Sequence, residues 1–588
     1  MYRTHHCNEL RASNAGQRVT LAGWVAARRD HGGVLFIDLR DREGLTQIVF
    51  HPDQFPEIAR IAHILHDEEV IQVSGTVAER LDGTQNPKLT TGEIEVIASE
   101  LTILNHCAAL PFQIDANMSN EDLRLTYRYL DLRRPAMLRN LKIRHQLTKV
   151  TRDYFDRQDF LEIETPVLSK STPEGAREFL VPSRQSRGHF YALAQSPQQY
   201  KQLLMVGGIE RYFQIAKCFR DEDPRADRIT ELTQIDVEAS FIQSDDIFVL
   251  IEGLLREVFK TTRGTDIPTP FPRITHRDAM DRYGSDKPDL RFQLELVDLS
   301  EVFGESQFKV FRTTLDGGGV VKAINVKGFA GITTGQIEEL TSLAKTSGAK
   351  GLALIKVENG EWKSPVVKFF TDREKAGLQK ELGIEEGDLV LFGADTWETV
   401  CTVLGRIRLR LADLLRLIRD PSDLKFLWVV DFPLMAFDPA ANKWSAMHHP
   451  FTRPKKEDIA LLESGDYGKI RAEAYDVVLN GVEIGGGSIR IHEQALQQQV
   501  FAALGISAEQ QHMLFRHLIE AFSYGAPPHG GIALGVDRLV MLLADTTNIR
   551  DVVAFPKNSR GDDLMMEAPS EVPDRQLRDL HIQLRREK

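Results

Sequence analysis

At positions 218 to 238 the sequence reads Cys218-Phe219-Arg220-Asp221-Glu222-Asp223, then a loop with Arg225 and Arg228, then Thr233-Gln234-Ile235-Asp236-Val237-Glu238. An arginine clamps a phosphate through two parallel hydrogen bonds. A carboxylate two residues further along a strand points to the same side, where it accepts a hydrogen bond from an adenine amino group or a ribose. Taken alone, the stretch is more typical of a charged hairpin whose ion pairs face solvent.

Two further stretches are informative only in combination with the first. Small residues alternate in Gly530-Gly531-Ile532-Ala533-Leu534-Gly535-Val536-Asp537-Arg538-Leu539, which lets a ligand approach the strand backbone, and Arg538 is expected to open a helix over 539–543. Polar and apolar residues alternate in Phe160-Leu161-Glu162-Ile163-Glu164-Thr165-Pro166-Val167, where the proline restricts the strand to an edge or an interface. In isolation these are a glycine-rich strand and an ordinary sheet edge.

Composition limits the class of protein. The 588 residues are 42% hydrophobic and 27% charged, so several packed domains are expected. No apolar run approaches the roughly 18 residues of a membrane span and the first residues lack a signal-peptide core, which predicts a cytoplasmic protein without membrane association. Four cysteines lie far apart with no C-x-x-C pair, which suggests neither a zinc knuckle nor a disulfide framework. A net charge of −12 argues against generic polyanion binding, so nucleic acid must be met by local basic patches.

The pattern of hydrophobic and polar residues changes along the chain. Short β-type runs between positions 18 and 104, with a helical segment over 55–65, predict a small Greek-key barrel of the oligonucleotide-binding type, although a barrel without a ligand fits the pattern as well. A polar segment ending in Arg133-Arg134-Pro135 predicts a hinge. Residues Ile143, Leu147, Val150 and Tyr154 recur on one helical face. The last residues, from Asp574, predict a charged, frayed helix.

In their order and spacing, the stretches at 160–167, 218–238 and 530–539 resemble motifs 1, 2 and 3 of the class II aminoacyl-tRNA synthetases. No G-x-x-x-x-G-K-[ST] loop offers another ATP site. Further runs are similar to the aspartyl branch of that class, and the barrel and inserted region match its bacterial form: Ser171-Thr172-Pro173-Glu174-Gly175-Ala176-Arg177, Gln195-Ser196-Pro197-Gln198-Gln199-Tyr200-Lys201, Tyr283-Gly284-Ser285-Asp286-Lys287-Pro288-Asp289-Leu290-Arg291, Ala446-Met447-His448-His449-Pro450-Phe451 and Gly485-Gly486-Gly487-Ser488-Ile489-Arg490.

The resemblance implies an α+β multidomain fold with an antiparallel catalytic sheet. The expected domains are an anticodon-binding barrel over 1–108, a hinge over 109–140, a catalytic domain in two parts over 141–290 and 425–560, an inserted α+β (GAD-like) domain over 291–424, and a tail over 561–588. Motif 1 implies a homodimer.

The implied activity is ATP-dependent attachment of L-aspartate to tRNA, through an aspartyl-adenylate that is then transferred to the 3′-terminal adenosine. Such in-line attack on the α-phosphate needs positioning and charge neutralisation rather than a general base. By resemblance Arg220 bridges carboxylate and α-phosphate, Arg538 holds the γ-phosphate, and Glu222 reads adenine. The full ATP-binding set is Arg220, Asp221, Glu222, Ile229, Glu483, Gly535, Val536, Asp537 and Arg538. The carboxylates of Asp476 and Glu483 are expected to bind Mg²⁺, a hard cation that prefers oxygen ligands.

Aspartate differs from asparagine by a charge, so cations must face its side chain, and Arg490 and Lys201 are the candidates. By resemblance Asp236 orients Lys201, His448 and His449 lie over the substrate, and Glu174 with Gln198 meets the α-amino group. The full aspartate-binding set is Glu174, Gln198, Gln199, Tyr200, Lys201, Arg220, Asp236, His448, His449 and Arg490. A neutral amide would leave those cations partly unpaired, which supports discrimination of roughly 10⁴.

The chain departs from the family where Gln-Pro-Glu-Phe is usual and it reads Ile229-Thr230-Glu231-Leu232. A glutamine near ATP becomes Ile229, and the ring expected to stack on adenine becomes Leu232. An aliphatic face covers a base without aromatic stacking, so we expect a functional site with weaker affinity for ATP.

In the barrel, Phe36 is expected to stack on an anticodon base, Gln47 to bond its edge, and Arg28 and Arg29 to hold the RNA backbone. Core packing is the alternative for Phe36.

His31 and Gly83 resemble the non-discriminating subgroup, which charges tRNA(Asp) and tRNA(Asn) and leaves an amidotransferase to finish the latter. Strict enzymes tend to carry Leu and a larger residue at these positions. Three alternatives stay open: an enzyme specific for tRNA(Asp), a synthetase-derived asparagine synthetase or modifying paralogue, and an RNA-binding paralogue that has lost catalysis.

Overall fold

The structure is a computed structural model that describes residues 2–114, 120–171, 177–223, 225–420 and 422–585. The chain forms two compact units, one of residues 1–139 with 564–566 and one of residues 140–563 with 567–588. Within the described ranges, no helix combines the length and the apolar character that a bilayer crossing requires. Short 3₁₀ helices lie at Ala12–Asn14, Val367–Phe369, Lys456–Asp458, Tyr467–Lys469 and Ile549–Asp551.

The first unit is built on a closed five-stranded barrel, as expected, with strand order β1-β2-β3-β5-β4. Burial alternates along the strands, so that Leu35, Ile37 and Leu39 point inward. The elements are β1 (Arg18–His31), β2 (Val34–Arg40), β3 (Leu45–Phe50), α1 (Pro56–Ala62), β4 (Val70–Glu79), β5 (Ile94–Asn105), α2 (Glu121–Thr126) and α3 (Arg128–Asp131).

The predicted hinge thus contains two short helices. They are held by the fully buried carboxylate of Asp131, which accepts hydrogen bonds from Arg124, Arg128 and Arg134. A buried carboxylate is stable only when such partners surround it, so residues 121–134 form a structured element.

The second unit begins within helix α4. Its first elements are α4 (Pro135–Arg157), β6 (Leu161–Glu162), β7 (Leu168–Ser169), β8 (Leu180–Pro182), β9 (Phe190–Leu193), α5 (Gln198–Val206), β10 (Arg211–Phe219), β11 (Glu231–Ser240), α6 (Ser244–Arg263), β12 (Arg273–Thr275) and α7 (His276–Tyr283). The predicted apolar face of α4 is present, because Leu147, Val150 and Tyr154 are buried in the core.

A separate five-stranded sheet, of order β13-β14-β17-β15-β16, follows with its own cores. Its elements are β13 (Val297–Asp298), α8 (Lys309–Asp316), β14 (Val320–Val326), α9 (Thr334–Thr346), β15 (Ala353–Glu358), β16 (Glu361–Lys363), α10 (Asp372–Leu382), β17 (Leu389–Asp395) and α11 (Trp397–Leu415). This is an α+β domain inserted between α7 and the strand that follows α11.

The remaining elements complete the main sheet. They are β18 (Phe426–Val430), β19 (Met435–Asp438), β20 (Lys443–Ala446), α12 (Ala460–Ser464), β21 (Ala474–Leu479), β22 (Val482–Ile489), α13 (Gln494–Ala503), α14 (Ala508–Phe522), β23 (His529–Gly535), α15 (Val536–Ala544) and α16 (Asp574–Asp579). The main sheet has eight strands in the order β12-β18-β21-β22-β23-β11-β10-β6, antiparallel except where β12 meets β18 and β10 meets β6.

Three expectations about element bounds were wrong. The strand over 160–167 shrinks to β6 at the edge of the main sheet, because only Leu161 and Glu162 pair with β10. The helix expected to follow Arg538 already begins at Val536. The C-terminal helix ends at Asp579, since few side chains in this segment are buried, and residues 586–588 lie outside the described ranges.

Candidate active site

A cavity of about 460 Å³ opens on the main sheet. Its walls come from α5, from the β10–β11 hairpin, from the β21–β22 hairpin and from the junction of β23 with α15. These segments contain the predicted residues of motifs 2 and 3, so the sheet brings together side chains that are more than 300 positions apart in the sequence, Arg220 and Arg538 among them.

One end of the cavity holds a buried cluster of four charges. Lys201 donates a hydrogen bond of 2.5 Å to Asp236 and lies 3.3 Å from Glu238. Arg490 donates to both oxygens of Glu238, at 2.9 and 3.1 Å. No side chain of the four exposes more than 2% of its surface. Two cations and two anions balance in formal charge, which lets them be buried together.

The pKa values of the two acids move in opposite directions. Burial, only partly offset by Lys201, raises the pKa of Asp236. Burial also acts to raise the pKa of Glu238, but Arg490 and Lys201 outweigh it and hold that pKa below its usual value. Oδ2 of Asp236 has no hydrogen-bond partner within the described residues, which leaves an acceptor free to meet a donor from a ligand.

Glu238 was missed as a site residue by the sequence analysis. Its signal was present, since it stands two positions after Asp236 on β11 and therefore on the same face. Its contacts with both cations make it the centre of the cluster.

Two histidines border this end of the cavity. Nε2 of His449 accepts a hydrogen bond of 2.7 Å from Arg490. Burial, and then the charge of Arg490, hold the pKa of His449 well below its usual value, so the ring is neutral at physiological pH. Nε2 of His448 lies 3.7 Å from Oδ1 of Asp476, and its Nδ1 has no hydrogen-bond partner within the described chain.

Helix α5 divides the predicted aspartate set between two cavities. Gln198 and Lys201 line the first cavity, whereas Gln199 and Tyr200 line a second one of about 320 Å³. Gln199 pairs with His517, and Tyr200 with Ser169. Consecutive helical residues turn by 100°, so four adjacent positions cannot share one face. The structure therefore places Gln199 and Tyr200 at a different cavity from Lys201, and their assignment to the aspartate set stays a prediction. Glu174 lies outside the described residues.

The predicted phosphate-binding arginines also line the cavity, and Arg538 follows Gly535, which pairs with Gln234 in the half of β11 away from Glu238. The side chain of Arg220 is half-buried and has no hydrogen bond or ion pair within the described part of the chain. Arg538 donates to the carbonyl oxygen of Glu483 at 3.1 Å and lies 3.5 Å from Asp227. Both guanidinium groups therefore keep donors available for a phosphate.

Arg220, Asp221 and Glu222 do not continue the strand as expected, because β10 ends at Phe219. Arg220 is instead fixed through its backbone N–H, which donates to the carbonyl oxygen of Thr230. The backbone N–H of Asp221 donates to the carbonyl oxygen of Arg177. Glu222 accepts a hydrogen bond of 3.1 Å from Arg228 in the same hairpin. Arg220 and Glu222 nevertheless line the same cavity.

Asp476 and Glu483 face each other across the β21–β22 hairpin. A Cβ at Gly486 would lie 2.4 Å from Oδ1 of Asp476 and 3.8 Å from Oε1 of Glu483, so a glycine there leaves space for both carboxylates. Burial, and then the charge of Asp476, raise the pKa of Glu483. Oδ1 of Asp476 has no hydrogen-bond partner within the described residues. Two such carboxylates fit Mg²⁺, which usually takes one or two from the protein and the rest from water and phosphates. No group of three or more potential ligands occurs in the described chain.

The residues of motif 3 differ from one another in how far they are open to a ligand. A Cβ at Gly531 would lie 2.0 Å from the carbonyl oxygen of Val237, so that glycine serves the packing of β23 against β11. At Gly535 the nearest atoms would be 3.9 Å away, which leaves its backbone open to the cavity. Val536 is buried. The carboxylate of Asp537 is occupied by Arg144 and by the backbone N–H of Thr233.

Ile229 and Leu232 both line the cavity, together with Ile549. Ile229 is buried and Leu232 is half-buried. The altered positions therefore present aliphatic surface, with no ring, to the same space as Glu222 and Arg538.

The barrel carries a second predicted site. Phe36 lies on the outer face of β2, since it alternates with the buried Leu35 and Ile37, so core packing is excluded as its role. Arg29 pairs with both oxygens of Asp38 at 2.7 Å, and Gln47 donates to Glu95 at 2.9 Å.

The other predicted residues of the barrel differ in their contacts. Arg28 donates to the carbonyl oxygens of His63 and Leu65, which occupies part of the guanidinium expected to hold RNA. The ring of His31 meets Phe36 edge-on at 5.8 Å. Gly83 has a φ of +84° and open space around it.

Comparisons with known proteins agree with this geometry. Residues 120–559 match the family described as tRNA synthetases class II (D, K and N), and residues 19–104 match the OB-fold nucleic acid binding domain. The chain is 57% identical to the aspartate–tRNA(Asp/Asn) ligase of Opitutus terrae, over 99% of both chains. It is 53% identical to the aspartate–tRNA ligase of Halalkalibacterium halodurans, over 99% of this chain and 98% of the relative.

Solved structures show the same fold at lower identity. An asparaginyl-tRNA synthetase of Pyrococcus horikoshii, complexed with asparaginyl-adenylate, aligns with a TM-score of 0.58 at 18% identity, covering 95% of this chain and 98% of that one.

Proposed function

The chain belongs to the class II tRNA synthetases of the D, K and N group, and we propose that it attaches L-aspartate to tRNA at the expense of ATP. The observation that carries the choice of amino acid is the buried cluster in which Glu238 holds Lys201 and Arg490. The β-carboxylate of aspartate binds these two cations, whereas the amide of asparagine offers them no charge. Asp236 and Glu238 already pair the two cations, but a site whose donors are arranged for a carboxylate rejects an amide that cannot accept from all of them, which favours aspartate by roughly 10⁴.

ATP occupies the opposite end of the cavity. Arg220 bridges the attacking carboxylate and the α-phosphate, and Arg538 takes the γ-phosphate, displacing the weak contact with Asp227. Glu222 exchanges Arg228 for the amino group of adenine. The open backbone at Gly535 passes close to the nucleotide. Holding both reactants in line supplies most of the acceleration that such a transfer needs.

Asp476 and Glu483 would hold Mg²⁺, which would neutralise phosphate charge there. The raised pKa of Glu483, which reflects its burial and its closeness to Asp476, and the unpaired oxygen of Asp476 support this assignment, because a cation between the two carboxylates would relieve their repulsion.

The barrel reads the anticodon. Phe36 is a half-buried aromatic residue on the outer face of β2, and Arg29 and Gln47 stand on the two adjacent strands. Single-stranded RNA is recognised by such a combination of stacking, base-edge hydrogen bonds and backbone charge. Their partners Asp38 and Glu95 fix the orientation of Arg29 and Gln47.

We assign the enzyme to both tRNA(Asp) and tRNA(Asn), with an amidotransferase converting the product on tRNA(Asn). His31 beside Phe36 and the open space at Gly83 support dual use, since neither presents bulk to the third anticodon base. The relative from Opitutus terrae is named for both tRNAs, and that from Halalkalibacterium halodurans for aspartate–tRNA ligation only. The latter leaves the discriminating enzyme as the second candidate.

The protein acts in the cytoplasm as a homodimer. The small sheet β7-β9-β8, next to motif 1 in sequence, exposes Leu168, Leu180, Phe190 and Tyr191, each by 45% or more. Several exposed apolar side chains on one sheet are typical of a protein interface, and a second copy of this chain is the partner.

The decisive experiment is in two stages. Aspartate-dependent ATP–pyrophosphate exchange tests amino-acid activation, with asparagine as the control amino acid. Its absence in the folded protein would reject catalysis and favour the RNA-binding paralogue. Aspartylation of tRNA(Asp) and tRNA(Asn) transcripts side by side then tests dual use. A ratio of kcat/KM above about a hundredfold, roughly 2.7 kcal/mol, would reject it.

A further inference from the structure

Arg144 on α4 joins three walls of the main cavity. It donates to Oδ1 of Asp537 at 2.6 Å, to Oγ1 of Thr233 at 3.0 Å and to the carbonyl oxygen of Val552 at 3.3 Å. Oδ2 of Asp537 in turn accepts from the backbone N–H of Thr233 at 2.8 Å. One guanidinium thus fixes β11, α15 and the segment after α15 to one another.

Each partner of Arg144 stands next to a residue that lines the cavity. Thr233 lies between Leu232 and Gln234, Asp537 precedes Arg538, and Val552 follows Ile549 by three positions. The adenine surface and the γ-phosphate arginine therefore have a common anchor, which itself does not line the cavity.

A second residue of α4 strengthens the same connection. Asn140, one turn before Arg144, donates to the carbonyl oxygen of Asp551 at 3.0 Å. The segment it holds reaches the motif 2 loop, because the backbone N–H of Ile549 donates to the carbonyl oxygen of Ala226. Two residues four apart lie on one helical face, so a single face of α4 supports the nucleotide end of the cavity.

From this geometry we infer that Arg144 is a positioning residue for ATP, a role that rests on the function proposed above. It sets the spacing between Leu232 and Arg538, and hence between the adenine and γ-phosphate ends of the nucleotide. Its side chain is 20% exposed and that of Asp537 4%, so the contacts are shielded from solvent. The planar guanidinium places its donors at fixed angles, which a flexible ammonium reproduces only in part. A displacement of about 1 Å costs roughly 10²-fold in rate.

The aspartate end has no contact with Arg144 among the described residues, because its cluster is held by Glu238. Loss of Arg144 must therefore affect ATP more than aspartate. A general loss of structure affects both substrates alike.

The test compares Arg144→Met and Arg144→Lys with the wild type. Arg152→Met is the matched control, since Arg152 stands on the same helix and pairs with the exposed Glu162. Aspartate-dependent exchange gives kcat and the KM values for ATP and aspartate, and equilibrium dialysis gives ATP binding without turnover. Thermal unfolding monitors the fold.

We expect Arg144→Met to raise the KM and Kd for ATP about tenfold, to lower kcat about tenfold, and to change the KM for aspartate less than twofold. Lysine restores part of the loss, and Arg152→Met behaves as wild type. Equal changes in both KM values, or kinetics indistinguishable from those of Arg152→Met, overturn the inference.

If Arg144→Met does not fold, Thr233→Val decides, because it removes one contact of Arg144 only. A rise of about threefold in the KM and Kd for ATP supports the inference, and unchanged values overturn it. If the wild type lacks aspartate-dependent exchange, the proposed function fails. The Kd for ATP of Arg144→Met relative to that of the wild type, measured by equilibrium dialysis, still tests the role of Arg144.

Discussion

Both oxygens of Glu238 accept hydrogen bonds from the guanidinium of Arg490, in a pair that excludes solvent. Replacing Glu238 by Gln keeps the shape and removes the charge, which leaves Arg490 and Lys201 opposed only by Asp236. Breaking a buried ion pair from one side costs about 3–5 kcal/mol. We expect urea unfolding of Glu238→Gln to show a loss of that size. Glu162→Gln, which breaks an exposed pair with Arg152, is expected to cost about 0.5 kcal/mol or less. Equal losses in the two variants contradict the special role of the buried pair.

The raised pKa of Glu483 predicts that this carboxylate lowers the stability of the folded protein at neutral pH, although catalysis requires it. The unfolded carboxyl loses its proton near pH ~4, whereas the folded one holds it to higher pH. The penalty of a charged Glu483 is thus absent below the unfolded pKa and fully present above the folded pKa. Glu483→Gln should raise Tm at pH 7.5, by an amount that vanishes near pH ~4, and should abolish exchange activity. The side chain is 39% exposed, so the gain is small. A lower Tm at pH 7.5 would contradict it.

Leu232→Phe tests the altered adenine surface. Leu232 lines the cavity and is half-buried, so a ring there gains a stacking partner when adenine binds. Aromatic stacking contributes about 0.5–1.5 kcal/mol, and we expect the KM for ATP to fall roughly two- to tenfold. The KM for aspartate serves as the internal control. An unchanged or higher KM for ATP sinks the interpretation of Leu232 as a weakened adenine contact.

His31→Leu should narrow the choice of tRNA. The imidazole meets Phe36 edge-on at the rim of the anticodon surface, and leucine removes its hydrogen-bonding capacity. We expect kcat/KM on tRNA(Asn) to fall at least tenfold relative to that on tRNA(Asp). Exchange without tRNA should be unchanged, since Phe36 and His31 belong to the barrel. A parallel fall on both tRNAs would assign His31 to affinity rather than selection.

Gly83→Lys offers a second route to the same narrowing. No atom lies within 4 Å of a Cβ at this position, but its φ of +84° belongs to the left-handed region. A lysine there costs about 1 kcal/mol of backbone strain, so the loop must either strain or rearrange. We expect discrimination against tRNA(Asn) with a slightly lower Tm. Asp82→Asn in the same loop is the control for a general effect of substitution.

The homodimer is tested at the small exposed sheet. Phe190→Glu places a charge on the face of the sheet that also carries Leu180, and burying it at an interface is unfavourable. Sedimentation velocity should show wild-type dimers and a monomeric variant. Val249→Glu alters an even more exposed apolar residue, on α6, and should stay dimeric. Monomeric wild-type protein at micromolar concentration would remove the basis for the assignment.

Sequence reasoning located the elements that are set by local pattern. The alternation of Leu35, Phe36, Ile37 and Leu39 marks β2 as a barrel strand, and it agrees with the burial observed there. The sequence predicts the apolar face of α4 in the same way, and the structure buries it. Both patterns are repeated over consecutive turns or residues, so they survive tertiary context.

The structure differs from the sequence-based expectation where tertiary contacts decide. The resemblance groups Gln199 and Tyr200 with Lys201, whereas the rotation of the helix directs them to another cavity. The pairing of Asp537 with Arg144 spans 393 positions. Such long-range partners leave no periodic signal in a single sequence, so only the structure reveals the contacts of Arg144.

The inserted domain leaves the catalytic sheet after α7 and returns at β18, which pairs directly with the β12 strand just before α7. Its entry and exit are therefore neighbours in space. A lineage can gain, lose or exchange the whole module through one splice, without redesigning the sheet around it. For a protein engineer, the same junction is a suitable site for inserting a foreign domain.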